Sequence, residues 1–251
     1  MVELDERHPH FPDISLADAD GLLAIGGNLE VETLYVAYRR GIFPWYEAGQ
    51  PLLWWSPNPR MVLLTNGLRV SRSLNKDIKS KFSDIRLDHD FRAVIEHCAA
   101  PREQHGTTWI TDEMRNAYLK LHHAGYAHSV EVYDQGDLVG GLYGVGIGGM
   151  FFGESMFSKT SNASKVALFY LCQYLYAHQL RLIDCQVQSP HLQTLGAFNI
   201  SREQFTEYVS KFCSQQTPPE LWRPQRFASF CLEQRKQAEQ RDQSDQSGVD
   251  E

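Results

Sequence analysis

Residues 137–158 read DLVGGLYGVGIGGMFFGESMFS, and this stretch predicts two β-strands joined by a glycine-rich turn. The segments 137–145 and 149–157 are both rich in aliphatic and aromatic residues, which favour strands. The glycines between them are typical of a hairpin turn. Residues 144–149 also match GxGxxG, but a dinucleotide-binding fingerprint requires a helix after the glycines, and here the sequence predicts a strand. We therefore predict a β-hairpin.

One carboxylate, Glu154, lies inside this apolar hairpin. An isolated charge in such surroundings is costly unless a partner compensates it. From the residues alone, two explanations stay open: an ion pair with an Arg or Lys elsewhere in the fold, or a carboxylate that awaits a cationic ligand in an aromatic pocket. Gly153 permits a β-bulge, which would let Phe151 and Glu154 face one cavity despite strand alternation.

The chain from Met61 onward reads as mixed α/β (α+β). Apolar residues at helical spacing predict helices, and alternating apolar residues predict strands. The predicted helices lie near 91–98, 114–121, 162–178, 190–195 and 201–213, and the further strands at 127–133 and 181–188.

The two ends of the chain differ from this pattern. Gly, Pro and Trp are frequent in the first 62 residues, with one short helix that stops at Gly41. From Glu233 onward large apolar groups are almost absent, as in a frayed helix that passes into disorder. We predict a small N-terminal domain over 1–62, a larger α/β domain over 63–232 and a polar, disordered tail over 233–251.

Composition indicates a folded protein of the reducing cytoplasm. Hydrophobic residues make up 42% of the 251 residues, enough for a packed core, and the net charge of -7 is not that of a general nucleic-acid binder. The five cysteines form no CxxC pair, as expected of reduced thiols. The N-terminus lacks the apolar region of a signal peptide, and no stretch is apolar for about 18 residues, so we expect no membrane span.

The strand predicted at 181–188 carries the most informative polar residues. Alternation puts Ile183, Cys185 and Val187 on one face and Asp184, Gln186 and Gln188 on the other. Asp is a poor strand former, so an Asp two residues before a Gln indicates a polar site on an inner strand, where a carboxylate fixes an amide or assists a proton transfer. A strand with a solvated polar face is the alternative.

Aromatic and basic residues suggest contact with RNA. Several tryptophans fall in loops or at element ends, where ring faces suit stacking on a base as well as core filling: Trp45, Trp54, Trp55 and Trp109. Residues 60–81 hold six Arg or Lys side chains and one acid, Asp77, in an otherwise acidic protein. Phosphate binding and a solvated helix face both fit this run. The ten histidines show no metal-ligand spacing, and we predict no metal site.

The sequence resembles the leucyl/phenylalanyl-tRNA–protein transferases through ordered motifs spread over most of residues 20–210. These motifs are GLLAIGGNL (21–29), AYRRGIFPW (37–45), LWWSPNPR (53–60), TWI (108–110), AHSVEV (127–132), GGLYGV (140–145), FFGESMFS (151–158), NASK (162–165) and LIDCQV (182–187).

The resemblance implies an enzyme that moves Leu or Phe from Leu-tRNA or Phe-tRNA to the α-amino group of proteins with N-terminal Arg or Lys. Such transfer marks the acceptor for degradation by the N-end rule pathway. The family implies a cytoplasmic protein with a GNAT-like acyltransferase domain behind a small N-terminal domain. It implies no cofactor, because the tRNA ester is already activated, and we expect a monomer.

The resemblance also implies roles for individual residues. Asp184 would orient Gln186, whose carbonyl oxygen helps take the proton of the attacking amine, with Glu154 beside them. The residues expected to line the pocket for the Leu or Phe side chain are Leu142, Phe151, Gly153 and Ile183. Those expected to hold the 3′-terminal adenosine are Tyr38, Trp45 and Trp109, and those expected at the acceptor-stem phosphates are Arg72, Lys76, Lys79 and Lys81.

Two other functions are compatible with parts of this pattern. An acyl-CoA-dependent N-acetyltransferase would share the fold, but it needs a glycine-rich pyrophosphate loop between a strand and a helix. A noncatalytic RNA-binding protein would explain the basic run and the tryptophans but would leave Asp184, Gln186 and Glu154 unexplained.

Overall fold

A computed structural model describes residues 2–100 and 110–227, which contain twelve strands and seven α-helices. The strands are β1 (Val2–Leu4), β2 (Leu22–Gly26), β3 (Phe43–Pro44), β4 (Leu53–Trp55), β5 (Arg60–Leu64), β6 (Asp84–Leu87), β7 (Ala127–Asp134), β8 (Asp137–Ile147), β9 (Met150–Ser158), β10 (Leu182–Gln186), β11 (Phe198–Ile200) and β12 (Gln225–Arg226). The helices are α1 (Val31–Tyr38), α2 (Arg72–Ser80), α3 (Phe91–Ala99), α4 (Asp112–His123), α5 (Ala163–Ala177), α6 (Pro190–Thr194) and α7 (Arg202–Cys213).

The strands form two mixed sheets, as the α/β reading of the sequence predicts. A four-stranded sheet has the order β1-β2-β4-β3, and an eight-stranded sheet has the order β11-β5-β10-β9-β8-β7-β6-β12. Neighbours in the large sheet are antiparallel except β9 and β10, which run parallel. The pairing of β9 with β10 covers only three residues of each strand, and the two strands then separate.

The hairpin predicted at 137–158 is confirmed as β8 and β9, which pair antiparallel from Gly140 to Ile147 of β8 and from Met150 to Ser158 of β9. The chain turns at Gly148, whose φ of 54° lies in the left-handed region that glycine adopts without strain. Only Gly148 and Gly149 lie at the turn, whereas Gly144 and Gly146 are strand residues of β8. A strand follows these glycines, so the structure has no strand-to-helix phosphate loop there.

Alternation along the central strands divides the core between the two faces of the large sheet. Tyr143 and Phe152 pack on one face with α1, α3, α4 and α7. Leu142 and Phe151, one residue away in each strand, pack on the other face with α2 and α5. Most of α5 is buried against this second face, which makes α5 one wall of any cavity that opens there.

Other predicted elements are also confirmed, with one difference at β10. The helices expected near 91–98, 190–195 and 201–213 are α3, α6 and α7, and the helix expected at 162–178 is α5. The strand expected at 181–188 ends at Gln186, because Gln186 adopts a left-handed φ of 62° and the register with β5 shifts there. The strict alternation predicted for this strand is therefore wrong beyond Asp184.

Some expectations fall outside the described residues, namely the tail at 233–251 and Trp109. The predicted boundary at residue 62 falls within β5 of the large sheet. Among residues 2–100 and 110–227, every helix is too short or too polar to cross a lipid bilayer. The described cysteines are all free thiols.

Candidate active site

A cavity of about 480 Å³ opens where β10 leaves β9. The two strands pair only between residues 182–184 and 150–152, and β9 then continues alone on this side to Ser158. The cavity is closed by α5 and α6. It contains all seven residues that the sequence predicted for the aminoacyl pocket and the chemistry: Leu142, Phe151, Gly153, Glu154, Ile183, Asp184 and Gln186.

Glu154 lies at a β-bulge in β9, as Gly153 suggested. Gly144 pairs with Gly153 and Tyr143 pairs with Ser155, so Glu154 is the extra residue of β9. The Glu154 side chain points to the face of the sheet that holds Phe152, Tyr38 and Tyr118, and its carboxylate borders the cavity where β9 and β10 separate.

Three donors surround the Glu154 carboxylate, and none of them is a cation. Tyr38 Oη donates to Oε1 at 2.8 Å, Tyr118 Oη donates to Oε2 at 2.9 Å, and Gln186 Nε2 donates to Oε1 at 2.6 Å. Among the described residues no Arg or Lys forms an ion pair with Glu154. Within the described residues the ion-pair explanation therefore fails for Glu154: two tyrosines and an amide compensate its charge.

Burial shifts the pKa values of this cluster upward. Glu154 is partly exposed to the cavity but enclosed by protein on its other sides, and desolvation raises its pKa to about 7 against the opposing effect of the hydrogen bonds. Desolvation, and then the Glu154 charge, hold the pKa values of Tyr38 and Tyr118 well above the ordinary value. Both hydroxyls consequently remain protonated donors at neutral pH, while Glu154 changes charge there.

The ion pair expected at Glu154 occurs instead at Asp184. Arg60 donates from Nε to Oδ1 at 2.8 Å and from Nη2 to Oδ2 at 2.6 Å, and both side chains are almost fully buried. The guanidinium lies between the rings of Phe43 and Phe205, 4.8 and 4.4 Å from their centroids. Its Nη1 also donates to the carbonyl oxygen of Gly41. Asp184 is thus anchored to β5 and to the N-terminal part of the chain.

The two carboxylates hold Gln186 from two directions. Asp184 Oδ1 accepts from the backbone N–H of Gln186 at 2.9 Å, which fixes the left-handed turn at this residue. Glu154 holds the amide nitrogen of the side chain. In the part of the chain that the structure describes, no hydrogen bond engages Gln186 Oε1. The side-chain carbonyl oxygen of Gln186 is therefore held in place at the cavity and remains able to accept a hydrogen bond.

Known proteins are similar in sequence over most of this chain. Residues 62–210 match the family model described as Leucyl/phenylalanyl-tRNA protein transferase, and residues 27–58 match the N-terminal domain of that transferase. A leucyl/phenylalanyl-tRNA--protein transferase of Azoarcus sp. (strain BH72) is 50% identical over 92% of this chain and 99% of its own length. The chain belongs to the leucyl/phenylalanyl-tRNA–protein transferase family. It is accordingly an aminoacyltransferase.

A second relative shows a similar sequence identity, whereas a solved structure matches only weakly. The protein of the same name from Azotobacter vinelandii (strain DJ / ATCC BAA-1303) is 54% identical over 79% of this chain and 89% of its own length. A solved structure, "The structure of L-PGS from Bacillus licheniformis", covers 81% of this chain and 64% of that chain at 12% identity. Its TM-score of 0.36 is too low to support an argument about the fold of the transferase.

The expected adenosine site needs a correction at Tyr38. Its side chain is fully buried, its hydroxyl donates to Glu154 and lies against that of Tyr118, and its ring centroid lies 5.2 Å from that of Phe152. Tyr38 therefore holds the Glu154 carboxylate by a hydrogen bond and presents no free ring face to a base. Trp45 is exposed beside Trp55 and keeps a face for stacking, while Trp109 lies outside the described residues.

The predicted basic face is present on α2. The four side chains expected at tRNA phosphates are all exposed on α2 or directly after it: Arg72, Lys76, Lys79 and Lys81. Asp77, the one acid of this run, accepts from Asn162 Nδ2 at the start of α5. Arg60, counted with these cations in the sequence, is buried with Asp184 and does not belong to the face.

Sequence reasoning missed Arg60 and Tyr118 as members of the site. Arg60 ends the motif LWWSPNPR, but its partner is 124 residues away and only the pairing of β5 with β10 brings them together. Tyr118 reads as an apolar position of α4, and its hydroxyl is the only feature that distinguishes it from core filling.

Proposed function

We propose that this transferase moves Leu or Phe from Leu-tRNA or Phe-tRNA to the α-amino group of proteins with N-terminal Arg or Lys, in the N-end rule pathway. The proposal rests on one observation above all: the apolar residues and the three polar residues predicted for this reaction line a single cavity. A volume of about 480 Å³ is in the usual range for a small-molecule pocket.

The apolar part of the cavity suits the side chain of the donor amino acid. Leu142, Phe151 and Ile183 lie on the buried second face of the sheet, and Leu168 and Leu171 of α5 stand opposite them. Removing a Leu or Phe side chain from water into this space supplies about 1.5–3 kcal/mol toward binding.

The chemical step would be direct attack of the amine on the tRNA ester. The nitrogen of the acceptor forms a bond to the ester carbonyl carbon, the bond to the ribose oxygen breaks, and that oxygen leaves with the proton lost by the amine. Gln186 Oε1 accepts a hydrogen bond from the acceptor amine. This bond orients the lone pair of the amine nitrogen toward the ester carbonyl carbon. Asp184 and Glu154 are the groups that hold Gln186 in place, and the Glu154 anion also favours an approaching cationic N-terminus.

We propose the same arrangement of domains as the sequence suggests: a small N-terminal domain over 1–62, a GNAT-like catalytic domain over 63–232 and a polar tail over 233–251. The opening of two parallel central strands around the cavity supports the acyltransferase part of this proposal. We also propose that the protein acts in the cytoplasm as a monomer.

Transfer of labelled Leu tests this function directly. Labelled Leu-tRNA is incubated with the protein and a peptide that begins with Arg, and the control peptide begins with Ala. We expect label in the Arg peptide and a rate on the Ala peptide that is lower by about two orders of magnitude, because Ala lacks the hydrogen-bonding and charged groups by which the proposed acceptor would be recognised. Equal labelling of both peptides, or of neither, would refute the proposed acceptor specificity.

Charge reversal on α2 tests the proposed phosphate contacts. In the double variant Lys76→Glu with Lys79→Glu, we expect weaker Leu-tRNA binding and a slope of log affinity against log salt that is smaller by roughly two, since each contact releases about one counterion. Lys211→Glu on α7, a helix packed on the opposite face of the sheet, is the matched control. Equal losses in both proteins would mean that α2 has no special role.

A further inference from the structure

Trp222 has no role in the site described so far. It lies after α7, in residues 214–227, a segment beyond the 62–210 range matched by the family model. This C-terminal segment returns to the large sheet, where β12 pairs with β6 and Phe227 is fully buried against Tyr174. Trp222 itself is partly buried and packs against the core cluster that contains Phe151.

Two strand glycines make room for Trp222 and Phe151 side by side. A Cβ atom at Gly146 would lie 2.8 Å from Cζ2 of Trp222, and one at Gly144 would lie 2.6 Å from Cε1 of Phe151. Both rings therefore rest directly on the backbone of β8, on the face that holds the cavity. Their centroids are 5.7 Å apart, and Phe151 lines the cavity whereas Trp222 does not, so Trp222 contacts Phe151 from outside the cavity lining.

One face of the Trp222 indole is covered by a buried histidine. His128 stacks on it at 4.0 Å between ring centroids with an interplanar angle of 5°. His128 Nδ1 in turn forms a hydrogen bond of 2.6 Å with Asp88 Oδ2, and both residues are buried. Asp88 thus holds His128, His128 stacks on Trp222, and Trp222 contacts Phe151, which lines the cavity. This series of contacts leaves little freedom for the Phe151 ring to move.

We infer that Trp222 is a specificity-determining positioning residue, which fixes the depth of the aminoacyl pocket by supporting Phe151. This inference rests on the proposed function of the cavity. A pocket distinguishes Leu from Phe by available volume, and one methylene group is worth about 10- to 200-fold in specificity. A ring that cannot recede therefore limits how well a bulky donor side chain fits.

The test compares donor selectivity in Trp222→Leu, Trp222→Ala and Trp222→Phe. The measured quantity is kcat/KM for Phe-tRNA divided by kcat/KM for Leu-tRNA, with the same Arg peptide. We expect the ratio to rise about tenfold in the Leu and Ala variants, because Phe151 gains space to recede. The Phe variant keeps a ring against Phe151 and should return the ratio to within about threefold of the wild type.

Phe227→Leu is the matched control, since Phe227 anchors the same segment without a ring contact to Phe151. It should lower the melting temperature yet leave the ratio unchanged. A ratio unchanged in all Trp222 variants, or shifted equally by Phe227→Leu, would overturn the inference. Wild-type protein that transfers neither amino acid would refute the proposed function instead, so the two failures are distinguishable.

Discussion

Asp184→Ala should lower the free energy of unfolding by about 3–5 kcal/mol, as is usual when one member of a buried ion pair is removed. The loss arises because Arg60 would remain buried without a counter-ion between the rings of Phe43 and Phe205. The backbone N–H of Gln186 would also lose its acceptor. Urea unfolding of the wild type and the variant measures the difference.

Two further variants separate this effect from a general cost of losing an acid. Asp84 forms a bidentate pair with Arg86 that is partly open to solvent, also with a contact of 2.6 Å, and Asp84→Ala should cost about 1 kcal/mol, well below the cost for the buried pair. The double variant Arg60→Met with Asp184→Leu replaces the buried charges by apolar groups and should recover most of the stability. If Asp184→Ala and Asp84→Ala proved equally stable, the buried pair would not be the anchor described here.

The rate of transfer should rise with pH through about 7 and then level off. The pKa of Glu154 is raised to about 7, so this carboxyl is neutral below that pH and an anion above it. The neutral form is a weaker acceptor for the Gln186 amide, and Gln186 loses its orientation. We expect kcat/KM at pH 5 to be about 100-fold below the plateau for this reason. A profile of kcat/KM from pH 5 to 9 measures the effect.

Glu154→Gln should remove this pH dependence and lower the plateau by about 10²- to 10⁴-fold. The ratio of wild-type to variant rates at each pH cancels the ionisation of the acceptor amine, which also titrates near neutrality. Glu131→Gln is the control, because burial raises the pKa of Glu131 to about 7 as well, yet this side chain bonds Ser129 and the backbone of His89 and Asp90 away from the cavity. A ratio that does not change with pH in Glu154→Gln would exclude Glu154 as the titrating group.

The sequence predicts the frame of the site well because local patterns determine it. The hairpin follows from strand-forming residues on both sides of a glycine turn, and the bulge at Glu154 follows from Gly153. Asp184 can be recognised as a candidate site residue because Asp is rare within inner strands. Each of these signals lies within a few residues of the feature that it predicts.

Contacts between residues far apart in the sequence cannot be predicted from such local signals. The pairing of Arg60 with Asp184 depends on β5 lying beside β10, and the support of Glu154 by Tyr38 and Tyr118 depends on how α1 and α4 pack on the sheet. An exposed stacking tyrosine and a buried tyrosine that donates to a carboxylate look alike in sequence. The left-handed turn at Gln186 is equally hidden, since a glutamine rarely adopts it.

The central claim is that Asp184 and Glu154 act on the reaction by holding Gln186, and single-turnover transfer by the Arg60→Met, Asp184→Leu double variant tests it most directly. Leu-tRNA binding is measured on the same folded preparation. The predicted result is a chemical step slower by at least about 100-fold with an affinity for Leu-tRNA within about threefold of the wild type. A folded double variant that transfers Leu within about threefold of the wild-type rate would contradict the claim.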